Sequence, residues 1–349
     1  MSCAMRVPAV VGVLTLVGML SEGSGVGWAQ STQSVGEFPL MTPWGDPDLG
    51  GIWNSSTVTP LERPARQAGI EFLTEEEAAA IERQTVDRNT LANAPSVVRT
   101  EPLPVGGDVG AYNSFWLDRG TTVVPTRRTS LVVDPPDGRL PALTPEAERR
   151  VTSAERQRLK DVREGRVPAE SYEQFDFGDR CIWYRGVPSL PTAYNNNYQI
   201  VQTQEIVAIV QEHIHDVRFI HLDGRSHIDA GIGQFGGHSV GHWEGDTLVV
   251  ETVNFGDRAY LFSSGPGPQG GINWDLSESL RVVERFAPLN AHAISYEATL
   301  YDETIFTEPW TIRMTLYRLV GNDAQLQQFN CVEFVEELVY GRLRKEPVE

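Results

Sequence analysis

Beyond Tyr198, apolar and polar positions alternate with a period of two, which sends successive side chains to opposite faces of a strand. The pattern predicts strands at Tyr198–Thr203, Ile206–Glu212, Val217–Leu222, Ser239–Trp243, Thr247–Asn254, Leu280–Phe286, Ala293–Tyr301 and Trp310–Leu319, with Leu326–Cys331 as a further candidate. Most connections are short and no helical pattern separates the strands, so neighbours are expected to pair antiparallel in a meander. Such a meander loses its exposed edges most simply by closing into an up-and-down, lipocalin-like barrel; a strongly curved sheet is the alternative. The one long connection, Gly256–Ser279, is rich in glycine and proline and reads as a lid over the barrel mouth.

The chain before Gly178 is irregular and contains helices. Thr74 followed by Glu75, Glu76 and Glu77 is a capping-box start, and the helix is expected to run to about Asn89. A second, strongly charged helix is expected from Thr144, with Pro145 in its first position, to about Arg163. Between them Thr129–Val133 reads as a strand entering the Asp134-Pro135-Pro136-Asp137-Gly138 turn. Apolar residues are scattered here, so this part is expected to wrap the barrel rather than build its own core. The expected organisation is a signal peptide over 1–29, an N-terminal wrapping segment over 30–178 and an antiparallel β-barrel domain over 179–349.

The leader is read from Arg6, the apolar run Ala9–Leu20 and Gly27-Trp28-Ala29, with Gln30 as the mature N-terminus. The run is too short to span a bilayer, so a periplasmic or extracellular protein without membrane insertion is expected after cleavage. Cys181 and Cys331 then remain; in an oxidising compartment they read as a disulfide, or else as two buried thiols. The formal net charge is −18, which repels nucleic acid and disfavours anionic membrane surfaces. Oligomeric state is not legible.

Long stretches have a familiar look: GDPDLGGIW at 45–53, YNSFWLDRG at 112–120, TRRTSLVVDPPDGRLP at 126–141, YNNNYQIVQT at 194–203, HDVR at 215–218, LDGRSH at 222–227 and GHWEGDTLVVETVNF at 241–255. On these motifs the chain resembles an uncharacterised family of exported bacterial proteins. The resemblance implies export and brings no activity with it. One departure is visible: Gln204-Glu205 stands where the family has Pro-Gly, and neither residue favours the positive φ of a tight primed turn, so a longer or bulged connection is expected.

Six of the seven histidines fall between His213 and His242, and imidazole titrates near neutrality and ligates metals. His213 and His215, two apart on a predicted strand, would share a face; with His227, His238 or His242 they make a candidate site for a divalent metal such as zinc. The main reading has no cofactor, because no nucleophile elbow, Walker loop or dinucleotide fingerprint is present. Asp216 and Arg218 share the opposite face and read as an ion pair, and Glu244-Gly245-Asp246 as a hairpin turn. Two glutamates sit inside apolar stripes: Glu251 among Val249, Val253 and Phe255, and Glu284 among Leu280, Val282 and Phe286. If the stripes face the lumen, both carboxyls are buried and need partners or raised pKa values, the condition of a general acid.

The candidate catalytic residues are therefore His215, His227, His242, Glu251 and Arg218. Tyr194, Tyr198, Trp243, Phe255 and Glu284 are the candidates for binding substrate, with Tyr260, Phe262 and Trp274 as further aromatics. The alternative metal set is His213, His215 and His227. The predicted function is an exported, cofactor-independent enzyme holding a small, largely apolar molecule in a barrel and moving a proton with histidine and carboxylate, of hydratase, lyase or isomerase type. A non-catalytic periplasmic binding protein is the second reading and a metal-dependent hydrolase the third.

Overall fold

The computed structural model describes residues 40–94, 117–151, 153–163, 169–175, 177–178, 180–183, 186–214, 216–256, 260–263, 272–275, 278–321 and 324–331. Its strands are β1 (Gly51–Asn54), β2 (Val132–Asp134), β3 (Asn197–Gln202), β4 (Ile206–Gln211), β5 (Val217–His221), β6 (His238–Glu244), β7 (Thr247–Val253), β8 (Tyr260–Ser263), β9 (Ile272–Asp275), β10 (Arg281–Asn290), β11 (Ala293–Tyr301) and β12 (Trp310–Arg318). Strands β1, β3 to β7 and β10 to β12 close into a nine-strand mixed barrel, with β2 added on β12 outside the ring. The protein is mainly β, as the period-two pattern predicts, with a few helices in its N-terminal region.

Alternation along each strand builds the interior. On β12 the buried residues are Trp310, Ile312, Met314 and Leu316; on β11 they include Tyr296, Ala298 and Leu300; on β10, Val282, Glu284 and Phe286. Each large apolar side chain removed from water stabilises the fold by about 1.5–3 kcal/mol. Closure comes from β1, which pairs antiparallel with β3 on one side and β12 on the other. This stave lies within the segment expected to wrap the barrel. Trp53 anchors it: the ring is buried, its Nε1 donates to Leu49 O at 2.8 Å, and the Arg318 guanidinium lies 4.4 Å from the ring centre.

One pairing departs from the meander. β5 and β6 run parallel, so the chain between them must cross back along the wall. It does so as the loop 222–237, which matters below. The long connection 256–279 carries a hairpin of its own, β8 with β9.

Several local expectations change. The turn at Gln204-Glu205 is tight and the β3–β4 register runs unbroken to Gln202↔Val207. Thr203 makes this possible: its N–H donates to Ile206 O at 2.8 Å and its hydroxyl accepts from Ile206 N–H at 3.0 Å. Leu326–Cys331 is not a strand; Gln327 N–H instead meets the Glu212 carboxylate at 3.4 Å and Phe329 packs on His213. The helix at Thr74 is α1 (Glu75–Ala92), with both capping-box hydrogen bonds present. The charged helix is two pieces, α2 (Pro145–Val151) and α3 (Ala154–Arg163). Cys181 and Cys331 are joined, with Cα atoms 5.7 Å apart. Among the described residues no helix is long and apolar enough to cross a membrane.

Candidate functional site on the barrel wall

Cross-strand register decides which candidates meet. On the outer face, His221 of β5 lies beside Val240 of β6, Val240 opposite Glu251 of β7, and Glu251 opposite Val283 of β10. One row away His242 faces Val249, which faces Arg285. The loop 222–237 folds back beside them and is pinned there: Asn254 Nδ2 donates to Ile228 O at 2.9 Å, and Gln234 N donates to Asn254 O at 3.0 Å. Between loop and strands lies a groove of about 310 Å³, lined by His221, Arg225, His242, Glu251 and Arg281 over a floor of Val240, Val249 and Val283. That volume is at the lower end of small-molecule sites.

The row His238, His227, Glu251 runs along this wall. His227 Nδ1 is 3.0 Å from His238 Nδ1, and His227 Nε2 is 3.5 Å from Glu251 Oε2. His221 stacks on His238 with ring centres 5.6 Å apart. Glu251 also accepts from Arg281 Nε, and that hydrogen bond chiefly holds its carboxyl below the usual range against the opposing effect of burial. Burial first, then the neighbouring His227, His221 and Arg225, lowers the pKa of His238. At the rim, Arg225 pairs with Asp223, whose carboxyl falls to about 2, and Arg285 with His242 holds Glu244 low. With Glu251 ionised, the fitting tautomers put a proton on His227 Nε2, facing the carboxylate, and one on His238 Nδ1, donated to His227.

The lumen is a separate environment. Glu284 is 2 % exposed and receives Arg218 through two hydrogen bonds, Nη1 to Oε1 at 3.1 Å and Nη2 to Oε2 at 2.7 Å. Tyr296 OH donates to Oε1 at 2.8 Å. Burial and the Glu284 charge push the Tyr296 phenol well above its ordinary range. Tyr198 lines the same chamber, of about 30 Å³.

Of the two glutamates expected inside, only Glu284 is there. The Glu251 side chain is 38 % exposed, on the outer face. Both faces of β7 are apolar, because Leu248, Val250 and Thr252 fill the lumen while Val249 lines the groove, so the stripe could not tell inside from outside. Arg218 pairs with Glu284 and not with Asp216. His213 does not lie on a strand: β4 ends at Gln211 and Ile214 has φ +59°. It is buried between Tyr194 and Phe329, with ring centres 5.4 and 4.6 Å away.

His213 precedes β5 and His227 follows it, so two members of the alternative metal set stand towards opposite ends of that strand. His215 lies outside the described residues, as do the side chains of Tyr260, Phe262 and Trp274. No three His, Cys, Asp or Glu side chains converge as a metal-binding group among the described residues. Phe255 is packed in the core and Trp243 is partly buried against it, so neither lines the groove. Glu244-Gly245-Asp246 is the turn of the β6–β7 hairpin, with Gly245 at φ +59°.

Sequence reasoning did not single out His221, Arg225, Gln211 or Tyr296. The parity of β5, once its ends are known, puts Val217, Phe219 and His221 opposite Arg218, and that signal finds His221. A closed barrel with such a groove can hold a small molecule. No family model matches the chain, and neither the curated proteins nor the solved structures compared with it give a match.

Proposed function

We propose that this is an exported enzyme that binds a small polar molecule in the wall groove and moves a proton with Glu251 and His227, in a reaction of hydratase, lyase or isomerase type. One observation carries the reading: a histidine–histidine–carboxylate row borders a ligand-sized groove, with Glu251 on the groove lining itself. Glu251 takes the proton from the substrate and returns it, while His227, with Nε2–H facing that carboxylate and Nδ1 accepting from His238 Nδ1–H, holds the carboxylate in place. Arg225 and Arg281 on the lining suit a carbonyl or carboxylate oxygen. The leader at 1–29 and the Cys181–Cys331 disulfide support export.

The second reading is binding without turnover, and the Arg281 contact favours it, because a carboxylate held ionised is a poor acid. The discriminating experiment incubates the mature protein with a library of small carbonyl and carboxylate compounds and follows products by NMR. The enzyme reading expects turnover of at least one compound, reduced about 10²–10⁴-fold in Glu251→Gln and in His227→Gln. The binding reading expects altered affinity and no product in any variant. Turnover that survives both substitutions would overturn the assignment of the groove.

A further inference from the structure

The chamber inside the barrel has its own chemistry, independent of the groove. Its volume of about 30 Å³ suits a head group of roughly two or three heavy atoms. Ser189, Gln211 and Arg218 contribute its polar side, and Ile209, Phe286 and Met314 part of its apolar side.

Both Nη groups of Arg218 are occupied by Glu284, while its Nε is buried and has no hydrogen-bond partner among the described residues. Gln211 donates Nε2 to Ser189 Oγ at 3.1 Å, and its Oε1 is buried and likewise without a partner among them. A buried polar atom left in that state costs about 1–3 kcal/mol. Two on side chains that line one chamber, one donor and one acceptor, call for a guest that supplies the complement of each. A third group stands at the same end. Gln211 N donates to Asp216 O at 2.8 Å, and alternation from Arg218 turns Asp216 towards the lumen. Its Oδ2 is also buried without a partner among the described residues, and burial raises its carboxyl to about 7.

We propose that the chamber is a binding site for the head of a small uncharged molecule that carries a hydrogen-bond acceptor and donor on neighbouring atoms, of which a carboxamide is the simplest. The acceptor meets Arg218 Nε–H, the donor meets Gln211 Oε1, and the alkyl part lies against Ile209 and Met314. The head is uncharged because Arg218 and Glu284 already neutralise one another and Tyr296 completes the carboxylate. A further buried anion would have no counter-ion there, and below pH 7 burial keeps the Asp216 carboxyl largely protonated, so it offers none to a cation.

Chemical-shift titration of the full mature chain with acetamide, acetate and methylammonium tests this. Acetamide should bind, with acetate and methylammonium at least tenfold weaker. Gln211→Leu should weaken acetamide at least tenfold. Ile209→Phe, which fills the chamber and keeps every polar group, should abolish binding and decides the matter if Gln211→Leu does not fold. Glu251→Gln, in the groove, should leave acetamide affinity unchanged, so the two sites stand or fall separately. The proposal is overturned if acetamide does not bind, which would leave the chamber to water alone. It is equally overturned if acetate shifts the signals of Ile209, Gln211 and Met314 as strongly as acetamide does, whatever it does at the groove, or if Ile209→Phe binds acetamide like the wild type.

Discussion

Arg218 and Glu284 show how much a single buried residue depends on its partner. Arg218→Met leaves the Glu284 carboxylate enclosed without a counter-charge, which should cost about 3–5 kcal/mol in urea unfolding. Adding Glu284→Leu and Tyr296→Phe to the same chain should recover most of that loss, since apolar side chains leave no buried group without a hydrogen bond. Asp216 gives a pH dependence of known sign. Burial raises its folded pKa to about 7, above the ordinary carboxyl value of 3.8, so its contribution is present at low pH and lost as pH rises through 7. Asp216→Asn should therefore gain stability relative to the wild type between pH 5 and pH 8, measured by thermal unfolding in matched buffers. His238 acts in the opposite sense. Its lowered pKa means the folded state favours the neutral ring, and its contribution is lost on acidification below the ordinary histidine range.

At the scale of the element, the informative piece is β1, four residues long and the stave that closes the ring. Gly51 has φ +135°, and a Cβ there would lie 2.5 Å from Arg318 Nη1, the same guanidinium that reaches Gly50 O and covers Trp53. Gly51→Ala should therefore strain the backbone and displace Arg318 together. Trp53→Ala should cost about 3–5 kcal/mol through the cavity it leaves. Amide exchange should then rise first along β3 and β12, the two strands that β1 joins; faster exchange in β7 alone would contradict the seam. Helix α1 is a milder case. Thr74 Oγ1 accepts from Glu77 N at 3.2 Å while Glu77 Oε2 accepts from Thr74 N at 2.8 Å, so Thr74→Ala should cost about 1 kcal/mol, with the barrel unaffected.

For the molecule as a whole the disulfide is the covalent tie. It spans a sequence separation of 150 residues, and in the chain-entropy model closing a loop of that size stabilises by about 4–5 kcal/mol. Reduction, or Cys181→Ser with Cys331→Ser, should lower the urea midpoint accordingly. It should also loosen the stretch that lays Phe329 on His213 and Gln327 N–H against Glu212. Thiol titration of denatured, unreduced protein should find the Cys181 and Cys331 thiols absent.

What the chain determined without help is whatever depends on near neighbours. The period of two predicts most of the staves because strand faces alternate whatever lies around them, and the capping box at Thr74 is satisfied within one helical turn. Thr203 belongs here too, although only the structure reveals that its hydroxyl accepts from Ile206 N–H across the turn. The inside of the barrel was half legible: Val282, Glu284 and Phe286 form a stripe facing the lumen, while the stripe at Val249 and Glu251 faces out. Parity states that two faces exist; which one is inside depends on register with β6 and β10, and on a parallel β5–β6 pairing whose crossover supplies His227 to the outer wall. Partner choice was likewise a tertiary decision. Arg218 had Asp216 two residues away, yet the barrel brings Glu284 to its guanidinium from across the lumen, where both hydrogen bonds and shared burial favour that pair. The histidine cluster divided for the same reason: residues adjacent in sequence fell towards opposite ends of β5, and only those near the end that meets β6 acquired a carboxylate and a groove.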